Sequence, residues 1–342
     1  MHFRVYLYLC LYGIGAPTYF YRYWAGGRVC QVGMAESADQ EPMLTGALTV
    51  PRRYRGIPVP SWFNEATSQK LETESLRPAD VLLCSWPKSG THWVHRALRL
   101  LSSSGDDASS SMLLAEMLPP GPHDGVDPRP WNPDGKDHFE ALLEREGAAE
   151  PRLIVTHAPA EWLPLARAAA AGNGKLVYVT RDPRDVITSN YFFMGAPKDG
   201  WAGSMERFLA PATRTPNAFG GWPEHVAGFE ALVAALGPER AVLVEYEEMH
   251  ADLPGQLRRL AALLGPAAEA RLETHGDEIC EALGFSAMQG GGGSDARFLR
   301  KGKAGGWREH FSDADAARVA AMVDERLPAA TSAVGCSTWR TR

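Results

Sequence analysis

Eight residues, Trp86-Pro87-Lys88-Ser89-Gly90-Thr91-His92-Trp93, lie between a short apolar run and a stretch with helical periodicity. A strand that feeds a tight loop and then a helix turns several unpaired backbone N–H groups towards one spot. Those groups and the helix dipole attract an anion such as phosphate. Gly90 lets the backbone come close, Ser89 and Thr91 add hydroxyl donors, and Lys88 adds a point charge. The order differs from GxxxxGK[ST], where lysine follows the second glycine, so the common nucleoside-triphosphate loop is a poor match. A capped strand–helix turn with a solvated lysine would use the same residues.

Two further segments carry charge in a similar setting. In Thr180-Arg181-Asp182-Pro183-Arg184-Asp185-Val186-Ile187-Thr188-Ser189-Asn190-Tyr191 a strand ends in a turn and Pro183 sits near a helix start. Ser189 falls one turn past Asp185, and Arg181 stands at the strand's carboxyl end, where open α/β sheets bind ligands. Phe298-Leu299-Arg300-Lys301-Gly302-Lys303-Ala304-Gly305-Gly306-Trp307 is basic and glycine-rich, with backbone donors. Taken singly, each also reads as a solvated charge cluster.

The elements that must hold these loops are legible as alternating strands and helices. Val81–Trp86, Leu153–Val155, Leu176–Val179 and Ala241–Val244 are candidate buried strands. Helical patterns run over Trp93–Leu101, Met205–Leu209 and Val226–Leu236, and the last thirty residues hold an Ala-rich helix and a polar tail. Strands alternating with helices predict an α/β fold, one domain with a central, mostly parallel sheet flanked by helices. Ser102–Ser111 and Gln289–Ser294, the latter with four consecutive glycines, read as loops. We expect an extension over 1–33, a lead-in over 34–77, a catalytic domain over 78–327 and a tail over 328–342.

Composition narrows the field. With 342 residues, 45% hydrophobic and 22% charged, the chain suits an ordinary globular protein with a large core. A net charge of −6 argues against a nucleic-acid binder while leaving room for one local positive pocket. The five cysteines have no metal-ligand or CxxC spacing, which points to a reducing compartment and to no zinc site. The N-terminus is open to several readings. Val5–Tyr21 is uncharged and apolar but short for a membrane span of about 20 residues. It suits a signal-peptide core, a membrane anchor or translation upstream of the true start, and Met34 opens a polar stretch like the beginning of a cytoplasmic enzyme.

In order and spacing the three segments resemble the cytosolic sulfotransferases. That family reads (Y/F)PKSGTTW where this chain has Trp86–Trp93, RNPxDxxxSxY where it has Arg181–Tyr191, and RKGxxGDW where it has Arg300–Trp307. Pro151–His157 resembles the family segment ending in Thr-His, and Tyr246-Glu247-Glu248-Met249 resembles its YEDM. The resemblance implies a P-loop-like nucleotide-binding fold and transfer of the sulfuryl group of 3′-phosphoadenosine 5′-phosphosulfate (PAPS) to a hydroxyl or amine, with release of 3′-phosphoadenosine 5′-phosphate (PAP). It implies that Lys88 neutralises the leaving phosphate and that Ser89, Gly90, Thr91 and His92 hold the 5′-phosphate. Trp93 and Phe285 would sandwich the adenine, with Tyr246 at its edge. Arg181, Ser189, Arg300, Lys301 and Gly302 would hold the 3′-phosphate, and Ser189 would also be catalytic, with Lys88 and His157. His157 would be the general base, a task that suits imidazole because its unperturbed pKa lies near working pH. A histidine merely satisfied at a strand end is the plain alternative. The transferred group carries less charge than a phosphoryl group, so positioning and a few cations suffice and no metal is expected.

Some positions depart from the family. His92 stands for the second threonine of the loop, Val155 for a lysine before Thr-His, and Gly306 for the aspartate of GDW. The family dimer motif, KxxxTVxxxE, falls on Arg308, Ser312, Asp313 and Ala317, which leaves a monomer or a different dimer. Trp162, Phe192, Phe193, Met194, Trp201, Phe219, Trp222 and His225 fall in segments that line the acceptor pocket in similar proteins. Aromatic walls suit a small apolar or phenolic acceptor, though the same residues would also serve as core. Two other readings compete: a membrane-anchored sulfotransferase acting on glycans, and a non-catalytic PAPS- or PAP-binding protein, against which Lys88 and His157 argue.

Overall fold

The structure is a computed structural model that describes residues 19–25, 28–34, 52–60, 63–102, 114–115, 152–167, 173–194, 205–206, 208–209, 219–290 and 300–327. The chain divides into two compact units, Met1–Met43 and Leu44–Arg342. In the first, β1 (Tyr19–Ala25) and β2 (Arg28–Met34) pair antiparallel, with Tyr19 opposite Met34. The apolar run ends inside β1, and its earlier part lies outside the described residues. No helix among the described residues is long and apolar enough to cross a membrane.

The second unit opens with a hairpin, β3 (Arg52–Tyr54) and β4 (Ile57–Val59), and helix α1 (Glu65–Thr73). Asn64 caps α1, its Oδ1 accepting from Ala66 N at 3.0 Å. Then come β5 (Val81–Ser85), α2 (Thr91–Ser102), β6 (Leu153–Thr156), the single turn α3 (Pro164–Arg167), β7 (Lys175–Thr180) and α4 (Pro183–Met194). The chain continues through α5 (Trp222–Leu236), β8 (Ala241–Glu245), α6 (Tyr246–Ala251) and α7 (Leu253–Leu264). It ends in α8 (Pro266–Ala282), α9 (Phe285–Gly290) and α10 (Asp313–Arg326). The expected strands and the helix after the first loop are present. Gln289, expected in a loop, lies in α9; the rest of both expected loops is outside the described residues, apart from Ser102 at the end of α2 and Gly290 at the end of α9.

The four main strands form a parallel sheet in the order β6-β5-β7-β8, with Val81 beside both Leu153 and Lys175. Alternate residues of a strand face opposite sides, so β5 feeds two cores. Leu82 and Cys84 join one cluster with Trp162, Phe229 and Val319; Val81 and Leu83 join the other with Leu98, Leu260 and Ile279. A sheet buried on both faces needs unbroken apolar strands, which is why these read as runs rather than alternations. In α2, Val94, Ala97, Leu98 and Leu101 are buried at helical spacing, which fixes the helix against the sheet and its first turn above β5.

Cations close several helix ends. Arg96 Nε donates to Ala282 O at 3.1 Å, Arg271 Nε to Leu100 O at 2.6 Å, and Lys175 Nζ to Leu264 O at 3.0 Å. Each satisfies carbonyls that the last turn leaves unpaired and meets the negative end of the dipole. At the amino ends of β5 and β6, away from the loops of interest, Asp80 is fully buried between Arg77 and Arg152. Arg152 Nε donates to it at 2.9 Å and Arg77 Nε at 3.0 Å.

Candidate active site

All four strands of the sheet release their carboxyl ends on one side, at Ser85, Thr156, Thr180 and Glu245. The chain leaves β5 and returns as β6 on one side of it, then crosses to β7 on the other. This reversal of strand order is where open parallel sheets leave a crevice for ligands. Every sequence-predicted cofactor residue lies in segments that begin at these ends or pack on them.

The loop after β5 is held in a conformation few side chains adopt. Lys88 has φ +71° and Gly90 φ +107°. A Cβ on Gly90 would come within 2.6 Å of Tyr246 Cδ2, so glycine is what lets the tyrosine ring lie on the loop. Gly90 O accepts from Trp93 N at 3.0 Å and Val94 N at 3.3 Å, so the N–H groups of Gly90, Thr91 and His92 precede the first helical bond. Ser89 is fully buried and its Oγ meets no protein partner, an orphan donor of the kind an anion in the loop would satisfy.

Arg181, at the end of β7, ties the three basic segments together. Its Nη1 donates to Lys88 O at 3.4 Å and its Nη2 to Lys303 O at 3.0 Å, while Cζ stands 4.0 Å over the Tyr246 ring. Its Nε is buried without a protein partner, a second orphan donor in the crevice. One turn on, Asp185 Oδ2 lies 3.9 Å from Arg181 Nη2. Ser189 follows a further turn along α4, and Phe193 beyond it places its ring 4.0 Å from Lys88 Nζ. Arg300 stacks on Phe192 at 4.3 Å. Burial and the neighbouring Arg181 lower the Arg300 pKa, the mark of two cations gathered in one place. Burial, with Arg181 again nearby, pulls Lys88 down to about 7. Lys301 is different: it is exposed and ion-paired to Glu309. Gly302, at φ +59°, carries the Phe285 ring where a Cβ would be.

An aromatic group stands beside the loop. Trp93 Nε1 donates to Leu283 O at 3.0 Å, and its ring meets Tyr246 at 5.5 Å and His250 at 4.7 Å. Sequence reasoning missed His250, whose signal was its place one turn after Tyr246 on α6. Glu247, also on α6, accepts from Asp182 N at 3.1 Å, and burial pushes its carboxyl up to about 7.

His157 follows β6 and is 7% exposed. Its Nδ1 donates to Ser85 O at 2.7 Å and lies 3.3 Å from Ser85 Oγ, which is 2.7 Å from Thr91 Oγ1. The bond to a carbonyl places the proton on Nδ1 and leaves the lone pair on Nε2. Burial drives its pKa down to about 4, and the charges of His92 and Lys88 act in the same direction.

The aromatic residues expected to line an acceptor pocket divide. Trp162 and Trp222 belong to the core, 2% and 5% exposed, with Trp162 edge-on to Tyr54 at 4.9 Å; burying so much apolar surface stabilises the unit that carries the site. His225 is buried too, accepting at Nδ1 from Tyr178 Oη (3.0 Å) and donating at Nε2 to His157 O (3.1 Å). Phe219 is also core, 1% exposed, with its ring 6.0 Å from that of His157, while Phe192 and Phe193 are half-buried beside Arg300 and Lys88. The side chains of Met194 and Trp201 lie outside the described residues. Val155 is 3% exposed in the core, which suits an apolar residue there.

A parallel α/β sheet whose central strand feeds an anion loop, faced by further cations and an aromatic platform, defines a P-loop-like nucleotide-binding protein. The sulfotransferase domain family matches residues 78–330, and the chain belongs to that family: it is a PAPS-dependent sulfotransferase. Rat (Rattus norvegicus) sulfotransferase 2B1 is 29% identical over 279 residues, covering 76% of this chain and 75% of the relative. Among solved structures, mouse sulfotransferase SULT7A1 complexed with PAP shares the fold with a TM-score of 0.61 at 22% identity, over 80% of this chain and 93% of that one. Retinol dehydratase in complex with androsterone and PAP gives 0.62 at 21%, over 80% and 88%.

Proposed function

We propose that residues 78–327 form the catalytic domain of a cytoplasmic enzyme that sulfates a hydroxyl of a small, apolar molecule, with His157 as its general base. The observation that carries this reading is the bond from His157 Nδ1 to the Ser85 carbonyl, which puts the proton on Nδ1 and the basic lone pair of the neutral ring on Nε2. His157 takes the acceptor's proton as its oxygen attacks sulfur in line. Lys88 meets the negative charge that gathers on the bridging oxygen as the sulfur–oxygen bond breaks. Ser89, with the N–H groups of Gly90, Thr91 and His92, holds the 5′-phosphate. Arg181, Ser189, Arg300 and Gly302 surround the 3′-phosphate, and Lys301 joins them by exchanging its bond to Glu309. Trp93, Phe285 and Tyr246 hold the adenine.

Phe219 beside His157 and Phe193 beside Lys88 give the acceptor side an apolar wall, and the fold is shared with a protein crystallised with androsterone. The test is PAP release from PAPS with a panel of steroid alcohols, retinol, simple phenols and glycans. Turnover with the apolar alcohols or phenols is expected; turnover confined to glycans would overturn the acceptor class.

A further inference from the structure

Asp185 has no place among the groups proposed to touch PAPS, yet it is one of the most engaged side chains of the site. It is 2% exposed on the first turn of α4. Its Oδ2 accepts from Gly305 N at 2.6 Å and its Oδ1 from Trp307 N at 2.8 Å, across 120 residues of chain and more. Gly305 adopts the left-handed conformation, φ +74° and ψ 11°, which turns N–H groups of one short segment to the same side, a concavity suited to an anion. Here the anion is the protein's own carboxylate.

The far end of that segment is closed by Trp307, whose ring has Arg184 Cζ at 4.1 Å and Arg308 Cζ at 4.5 Å. The near end carries Lys303, whose carbonyl accepts from Arg181, and Arg300, seated on Phe192. Asp185 therefore binds the backbone of the segment that presents Arg300 and Gly302, and also stands within ion-pair distance of Arg181. Two guanidinium groups gathered in one place repel each other, and a carboxylate near Arg181 that is bonded to the segment carrying Arg300 offsets that repulsion.

We propose that Asp185 is a positioning residue that assembles the 3′-phosphate site before ligand arrives, by clamping the 300–307 segment to α4 and steering Arg181. This rests on the reading that Arg181 and Arg300 take the 3′-phosphate. It makes a prediction opposite in sign to simple electrostatics. A bystander carboxylate beside a phosphate repels it, so its neutralisation would tighten PAP. A clamp, once neutralised, loses one of its two N–H bonds, because the amide that replaces it presents a donor to a donor.

The experiment compares wild type, Asp185→Asn and Arg181→Ala by calorimetric titration with PAP and with adenosine 5′-phosphosulfate, which lacks the 3′-phosphate. Hydrogen exchange of the 300–307 segment is followed in the ligand-free proteins. Asp185→Asn is expected to weaken PAP about tenfold or more, the scale of charge-assisted bonds, and adenosine 5′-phosphosulfate less than twofold. Exchange over 300–307 should quicken while β7 keeps its protection. Tighter PAP binding, equal losses for both ligands, or unchanged exchange over 300–307 would each overturn the clamp. If Arg181→Ala is selective for PAP and Asp185→Asn is not, the clamp alone fails. If Arg181→Ala weakens both ligands equally, the 3′-phosphate assignment falls, and this inference with it.

Discussion

His157 Nδ1 lies 2.7 Å from the carbonyl oxygen of Ser85, the last residue of the central strand. The strand that leads into the anion loop thus also sets the tautomer of the histidine on its neighbour. Parallel pairing of β5 with β6, Cys84 beside Thr156, puts the two chain ends side by side. One relationship therefore places the proposed base next to the cations proposed to meet the leaving group.

Replacing His157 should separate chemistry from binding. His157→Ala is expected to lower turnover about a hundredfold or more, the scale of a lost general base, while PAP affinity measured by calorimetry stays near wild type. A variant that keeps most of its activity would remove His157 from the mechanism.

The pH dependence follows from two lowered pKa values. The mechanism needs His157 neutral, so kcat/KM should fall as pH drops through about 4, and it needs Lys88 charged, so kcat/KM should fall as pH rises through about 7. A bound anion favours the charged lysine, so the alkaline limb of kcat should lie at higher pH than that of kcat/KM. PAP affinity contributed by Lys88 is full below about 7 and declines as pH rises towards the bound-state pKa. Lys88→Arg keeps its charge throughout, and its alkaline limb should disappear; a limb that persists would assign it to another group.

Three glycines in left-handed conformation give a graded test. Gly90 and Gly302 each carry an aromatic ring where a Cβ would sit, whereas Gly56, at φ +81°, has open space around it. Alanine at any of them costs about 1–3 kcal/mol in backbone strain. Gly90→Ala and Gly302→Ala should also displace Tyr246 and Phe285 and weaken PAP, while Gly56→Ala should lower the Tm with PAP binding unchanged. Equal PAP affinity in all three variants would contradict the packing account.

Asp80 is expected to matter for stability and not for ligand. Burial pushes its carboxyl up, but the bonds from Arg152 and Arg77 outweigh this and hold its pKa below the ordinary value. A folded pKa below the unfolded one contributes stability that is present above the unfolded value and lost as pH falls through the folded one. Asp80→Ala leaves Arg152 buried without its main partner and should cost about 3–5 kcal/mol. Denaturant titrations at neutral pH should show that loss, and it should shrink in strong acid, where the wild-type carboxylate is itself protonated. A neutral-pH loss under about 1 kcal/mol, within the range of an exposed pair, would contradict this account.

Residue types and order were enough to single out Lys88 and Arg181 as candidates, His157 needing the family resemblance as well, and to read the strands before them, because a buried parallel strand must be an apolar run and its end must change composition abruptly. Spacing along the chain was not enough to separate wall from core. Trp162, Trp222, Phe219 and His225 share their aromatic character with Phe192 and Phe193, and only packing decides that the first four are enclosed while the last two stay half-buried beside Arg300 and Lys88. Nor does sequence show what a carboxylate touches: Asp185 meets Gly305 and Trp307 because a segment some 120 residues further along the chain packs on α4. Local chemistry was written in the sequence, since it depends on which atoms a residue carries. Contacts, burial and the pKa values of Lys88, His157 and Glu247 were decided by the fold, since they depend on which distant residues exclude water and bring charge.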